Sequence, residues 1–132
     1  TKGLDRDLRV QVEDTLLSLK QYGVKSMVII THDLPLAHAL CDSLAVMYAG
    51  QILESGSGVL ENPLHPYTRV FLDALPENGF QSIPGRAPRA GERLPGCPFA
   101  PRCPSATEQC RKKRPPAVSP EPGKIVRCFR YA

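Results

Sequence analysis

The chain has no apolar run approaching the roughly 18–20 residues that a membrane-spanning helix needs, and no charged-then-apolar stretch opens it. The sequence therefore predicts neither a spanning helix nor an export signal. It also lacks the phosphate cradle G-x-x-x-x-G-K-[ST]: Gly123-Lys124 is followed by Ile125, and no glycine stands at the required spacing before it. Nucleotide hydrolysis requires such a cradle, a magnesium ligand and a group that positions water, so these 132 residues are not expected to hydrolyse ATP unaided. No internal repeat and no low-complexity tract is present. The formal charge of +4 is only mildly basic, which is weak ground for a nucleic-acid partner, and none is expected. What is abundant is proline, 14 residues of which 11 crowd the second half, so that much of that half is expected to be loop.

Along the chain, Leu8, Val12, Leu16 and Leu19 recur near a 3.6-residue period, which predicts an amphipathic helix over Asp7–Tyr22 ended by Gly23. Asp5 or Asp7 can cap its start. Met27, Val28, Ile29 and Ile30 make a short apolar run that predicts a buried strand over Ser26–Thr31, delivering His32 and Asp33 at its carboxyl end, where ligands sit in open α/β sheets. Leu34–Cys41 comes next as a short helix with Pro35 in its first turn, and Cys41 is expected there as a small buried hydrophobe. Leu44–Tyr48 and Gln51–Ser55 flank Ala49-Gly50, the spacing of a two-residue hairpin. Tyr67, Val70, Phe71, Ala74 and Leu75 share one face of a helix stopped before Pro76, and His65 ahead of it is expected to cap or pack. Glu77–Gly96, rich in Gly and Pro, predicts a linker or extended arm.

Four of the five cysteines fall in the last 36 residues, as Cys97, Cys103, Cys110 and Cys128, spaced C-x5-C-x6-C-x17-C. Structural zinc sites use pairs two to four residues apart, a habit this spacing does not share. The pattern leans toward a [4Fe–4S] cluster, with zinc and free or oxidised thiols as alternatives. Arg111-Lys112-Lys113-Arg114 between the third and fourth cysteines is expected to be a solvated basic run.

Several stretches carry a family resemblance: Gly3-Leu4-Asp5, Thr31-His32-Asp33-Leu34, Cys41-Asp42, Ala45-Val46-Met47-Tyr48-Ala49-Gly50 and Glu54-Ser55-Gly56. In this order and spacing they resemble the last third of an ABC-transporter ATPase domain, with its D-loop, histidine switch and closing antiparallel strands. Asn62-Pro63-Leu64-His65-Pro66-Tyr67-Thr68 narrows the likeness to the oligopeptide, dipeptide and nickel importer ATPases, and Lys2-Gly3 departs from that subfamily's pattern.

The resemblance implies an α/β fold, the incomplete C-terminal part of a P-loop ABC ATPase domain over residues 1–58, continued by a Pro-rich, cysteine-stapled extension over 59–132. It implies His32 reaching the terminal phosphate of ATP, Asp33 near it, and Asp5 facing a second ATPase subunit. It also implies ATP and Mg2+ in the complete subunit, membrane permeases and indirectly a peptide-binding protein as partners, and a place on the cytoplasmic face of the membrane. Some members carry an iron–sulfur cluster on these four cysteines. An isolated piece with too few strands for its sheet is expected to bare apolar surface and self-associate. The alternative from another class is a non-enzymatic cysteine–metal module that binds nucleic acid through Arg111–Arg114, which leaves residues 26–56 unexplained.

Overall fold

The computed structural model describes residues 6–89 and 91–132. The chain forms two compact units, residues 1–42 and 43–132.

In the first unit, α1 (Arg6–Ser18) tightens into a 3-10 turn over Leu19–Tyr22 and ends at Gly23, whose φ of +86° is the left-handed conformation a helix stop requires. Val12, Leu16 and Leu19 are half-buried while Val10 and Leu17 are exposed, the orientation expected from the apolar period. The cap expected at Asp5 lies outside the described residues. α2 (Leu34–Leu40) touches α1 and buries Leu36, Ala37 and Leu40. Cys41 does not lie inside this helix but closes it: its backbone N–H donates to the Ala37 carbonyl, and the residue is half-buried.

The strand expected over Ser26–Thr31 is not formed. The segment is irregular, pairs with no strand among the described residues, and leaves Val28 and Ile30 90% and 96% exposed. An apolar run becomes a strand only when neighbours take its N–H and C=O groups and cover both its faces. The described residues supply neither.

In the second unit, β1 (Leu44–Tyr48) and β2 (Gln51–Gly56) form the expected hairpin. Ala49 and Gly50 both have positive φ, +47° and +76°, as a two-residue turn matched to strand twist demands. The register shifts between Val46, opposite Glu54, and Met47, opposite Ile52, so Leu53 is an extra residue in β2. This bulge places two consecutive residues, Leu53 and Glu54, out of solvent, which strict alternation on a half-wet sheet would not allow. A third strand, β3 (Lys124–Val126), pairs antiparallel with β2 and bridges back to Val118, giving the order β1-β2-β3. Gly56 lets the chain just before β3 approach β2 closely: a Cβ there would stand 2.3 Å from the Gly123 carbonyl oxygen.

Glu54 ties the sheet to the next helix. Its Oε1 accepts from the Leu64 N–H at 2.6 Å, and its Oε2 accepts from the His65 N–H at 2.9 Å and the Thr68 hydroxyl at 2.7 Å. These donors open α3 (Pro66–Asp73), and a carboxylate at a helix start also meets the positive end of its dipole. α3 lays Tyr67 and Val70 against a core of Tyr48, Leu53, Cys97, Phe99 and Ala100, with Phe99 fully buried. The rings of Tyr48 and Tyr67 each meet Phe99 edge-on, at 5.4 and 5.2 Å.

Among its described residues the stretch Glu77–Gly96 has no helix or strand beyond a 3-10 turn over Pro76–Asn78, as a linker should, yet it is not free along its length. Arg102, in a further 3-10 turn over Ala100–Arg102, donates from Nη2 to the Ile83 carbonyl, from Nε to the Pro84 carbonyl and from Nη1 to the Tyr48 hydroxyl. One planar fork thus pins the arm to the hairpin.

Glu54→Ala leaves three buried donors without an acceptor, each costing about 1–3 kcal/mol. Urea unfolding is expected to show a loss of at least about 3 kcal/mol at unchanged slope, with Glu54→Gln, which keeps one acceptor oxygen, losing less.

Candidate functional site

Two sets of residues stand out, one in each unit. In the first, Asp33 is buried and is the N-cap of α2: Oδ1 accepts from the Leu36 N–H at 3.2 Å, and the Asp33 N–H donates to the Thr31 hydroxyl at 3.0 Å. Its local task is therefore to start a helix, a signal that Asp before Leu-Pro already carries in sequence. The cap holds the chain reversal that leaves the His32 side chain exposed. Asp5 lies outside the described residues.

The second set surrounds a cavity of about 230 Å³ lined by Cys97, Cys103, Cys110 and Cys128 together with His65 and Arg130. All four are free thiols. Three short elements bring them together. Cys97 and Cys103 flank the 3-10 turn at Ala100–Arg102, Cys110 lies in α4 (Glu108–Lys112), and Cys128 comes just after β3. The Cys97 N–H donates to the Cys110 carbonyl at 2.8 Å, and Gly96 makes this approach possible, since a Cβ on it would lie 2.1 Å from that oxygen. The C-terminal segment is tied in by Arg130, which donates to the Ser105 hydroxyl, and by the Tyr131 hydroxyl, which donates to the Leu64 carbonyl.

Burial pushes the Cys97 thiol up to about 11, against the opposing pull of the Phe99 and Ala100 backbone hydrogen bonds, and it raises Cys103 as well. Both are neutral thiols at neutral pH, and any metal bound here would have to displace their protons. Among the described residues no three His, Cys, Asp or Glu side chains are gathered closely enough to hold one metal ion. Tetrahedral zinc with Zn–S near 2.3 Å would need sulfurs about 3.8 Å apart. The zinc alternative therefore finds no ligand group here. The iron–sulfur reading likewise finds no metal-binding group among the described residues, although all four thiols line the one cavity.

His65 caps α3, as expected, its Nδ1 accepting from the Tyr67 N–H at 2.9 Å. Burial lowers its pKa to about 4, so the ring is neutral and carries its proton on Nε2. Arg111, Lys112, Lys113 and Arg114 are exposed, and Lys112 pairs with Glu108 at 2.6 Å, an ordinary solvated run. The residue sequence reasoning missed is Glu54: it stands in the Glu54-Ser55-Gly56 motif, but its partners come from ten or more residues later.

A family profile described as "Oligopeptide/dipeptide transporter, C-terminal region" matches residues 53–110, a span running from the Leu53–Glu54 bulge through α3 to Cys110. Over nearly its whole length the chain is similar to ATP-binding subunits of peptide ABC importers. It is 38% identical to the dipeptide transport ATP-binding protein DppD of Escherichia coli (strain K12) over 135 residues, covering 97% of this chain and 41% of that protein. It is 36% identical to the oligopeptide transport ATP-binding protein AppD of Bacillus subtilis (strain 168), covering 99% of this chain and 42% of that protein. The DppD of Haemophilus influenzae is 39% identical over 122 residues, 87% of this chain and 37% of its own length. The chain thus spans about two fifths of the length of these peptide-importer relatives. The nickel alternative draws no support from them, and no described helix is long and apolar enough to cross a membrane.

The buried cap at His65 makes stability depend on acid. The unfolded chain takes a proton near pH 6.5, while the folded chain refuses it until about 4. The contribution is intact above about pH 6.5 and is lost as pH falls toward 4, by about 3 kcal/mol in all. Urea midpoints measured from pH 7 to 4 are expected to fall more steeply for the wild type than for His65→Asn, which keeps a cap acceptor without titrating.

Proposed function

We propose that the chain is the C-terminal part of the ATP-binding subunit of a dipeptide or oligopeptide importer. Residues 1–58 complete its nucleotide-binding domain, and residues 59–132 form the peptide-importer extension. The observation that carries this is the similarity to peptide-transport ATP-binding proteins over nearly the whole chain, including the stretch around His32. The exposed Val28 and Ile30 support it in physical terms, because a run that is apolar on both faces belongs at the centre of a parallel sheet. On its own the chain is expected to self-associate through that surface.

In the complete subunit His32 donates to the terminal phosphate of ATP and orients the attacking water, a task imidazole performs through its choice of tautomer. Asp33 holds the turn that presents it, and Asp5 faces the second ATPase subunit. The phosphate cradle and the Mg2+ ligand come from residues beyond this chain. The subunit sits on the cytoplasmic face of the membrane against its permeases, with a peptide-binding protein supplying substrate from the other side. His32→Ala in the complete, reconstituted subunit is expected to bind ATP normally and to lose most of its turnover; a normal ATPase rate would remove His32 from this role.

For the extension, the four-thiol cavity favours an iron–sulfur cluster held by Cys97, Cys103, Cys110 and Cys128. Such a group would staple a Pro-rich segment and supplies one-electron chemistry when bound. Chain purified without oxygen is expected to contain iron and acid-labile sulfide in matching amounts and to show a broad visible absorption, all three lost in a Cys103→Ala variant. Absence of both iron and sulfide from the anaerobic wild type would end this reading.

A further inference from the structure

We infer that the cavity beside His65 is a binding site for a small monocarboxylate with an apolar body, held by the His65 Nε2–H and the Arg130 guanidinium. The inference concerns the chain with its thiols free, as they stand here, and does not rest on the cluster reading.

His65 is only 2% exposed, and it lines the cavity. Its Nδ1 accepts from the Tyr67 N–H at 2.9 Å, which leaves the ring proton on Nε2. No group among the described residues accepts that proton; the ring's other recorded neighbour is Phe99, with centroids 6.2 Å apart. Every side-chain nitrogen or oxygen that is sealed from solvent in a non-exposed residue has a partner. Nε2 has none, so it is not sealed, and in a residue this buried the cavity is the space it reaches. A donor out of bulk water without an acceptor is costly, and one that opens on a cavity marks where an acceptor belongs.

The rest of the wall says which acceptor fits. Among the described residues that line the cavity there is no Asp or Glu, and Arg130 is the one that carries a fixed charge. Arg130 gives one N–H of its fork to the Ser105 hydroxyl at 3.0 Å, and a guanidinium has five to give. One cation beside one neutral donor suits a monoanion, whereas a phosphate of higher charge calls for more cations. A carboxylate is planar and only accepts, which matches the fork. Pro66, Pro115 and Phe129 supply apolar wall for the body of the ligand. The volume of about 230 Å³ is several times the roughly 30 Å³ share of one water molecule, so a single bridging water does not fill it. Bound there, the carboxylate joins the start of α3 to the C-terminal segment, which the Tyr131 hydroxyl already ties to the Leu64 carbonyl.

The test uses the full chain with thiols reduced and metal removed by a chelator, and follows the ring-nitrogen resonances of His65 at pH 7 as isovalerate, acetate or 3-methylbutanol is added. Isovalerate is expected to shift Nε2 saturably and to bind about tenfold or more tighter than 3-methylbutanol, which lacks the charge, and than acetate, which lacks the apolar body. Arg130→Ala, a change at an exposed residue, and His65→Asn, which keeps the cap acceptor but not the Nε2 donor, are each expected to weaken isovalerate by about tenfold. Isovalerate that leaves Nε2 unmoved, that binds no better than acetate or the alcohol, or that binds both variants as it binds the wild type overturns the inference. If the urea midpoint shows that His65→Asn does not fold, the wild-type Nε2 shift and Arg130→Ala decide between the same outcomes. The iron content of the anaerobic chain bears on none of them, so this inference and the cluster reading fail separately.

Discussion

A single buried carboxylate organises the second unit. Glu54 leaves β2 at the bulge and binds three donors from the start of α3. Without it, the Asn62–Pro66 stretch would bring two backbone N–H groups out of water with nothing to receive them. With it, α3 starts at one place only, and the positions of Tyr67 and Val70 against Phe99 are set with it. The aromatic core around Phe99 is therefore aligned by a polar contact, and it in turn seats Cys97 and Ala100 on the cavity wall. A charged residue in a small core is tolerable because both of its oxygens accept hydrogen bonds, three in all.

The same economy recurs with Arg102 and Lys124. Arg102 donates to three acceptors from the hairpin and the arm, and the nearly buried Lys124 gives its ammonium to the Asn62 carbonyl and to Glu121. Each long side chain joins segments that are distant in sequence and irregular in conformation. In a unit with few helices and a three-stranded sheet, such polar ties do what a larger apolar core does elsewhere.

Local signals in the sequence were legible where the chain itself settles the outcome. Ala49-Gly50 specifies its hairpin through positive φ, Gly23 stops α1, and His65-Pro66 opens α3. Signals failed where the outcome depends on a distant partner. Ser26–Thr31 has strand composition but no neighbours among the described residues, so it stays unpaired. Lys124–Val126 lies in a Pro- and Gly-rich stretch and shows no period, and it becomes a strand only because β2 offers an edge. The cysteines were legible as a set by their spacing, but their gathering around one cavity depends on the Gly96 approach to Cys110 and on the return of β3, which no local pattern records.

The position of β3 has a consequence for synthesis. Because β2 pairs with Lys124–Val126, the sheet stays open along one edge while the ribosome makes the arm, the 3-10 knuckle and α4. Cys128 emerges immediately after that strand, so the last edge of the sheet and the last wall of the cavity arrive together. The growing chain cannot complete the four-thiol cavity before β3 is made, so cavity and sheet close in one late step of folding.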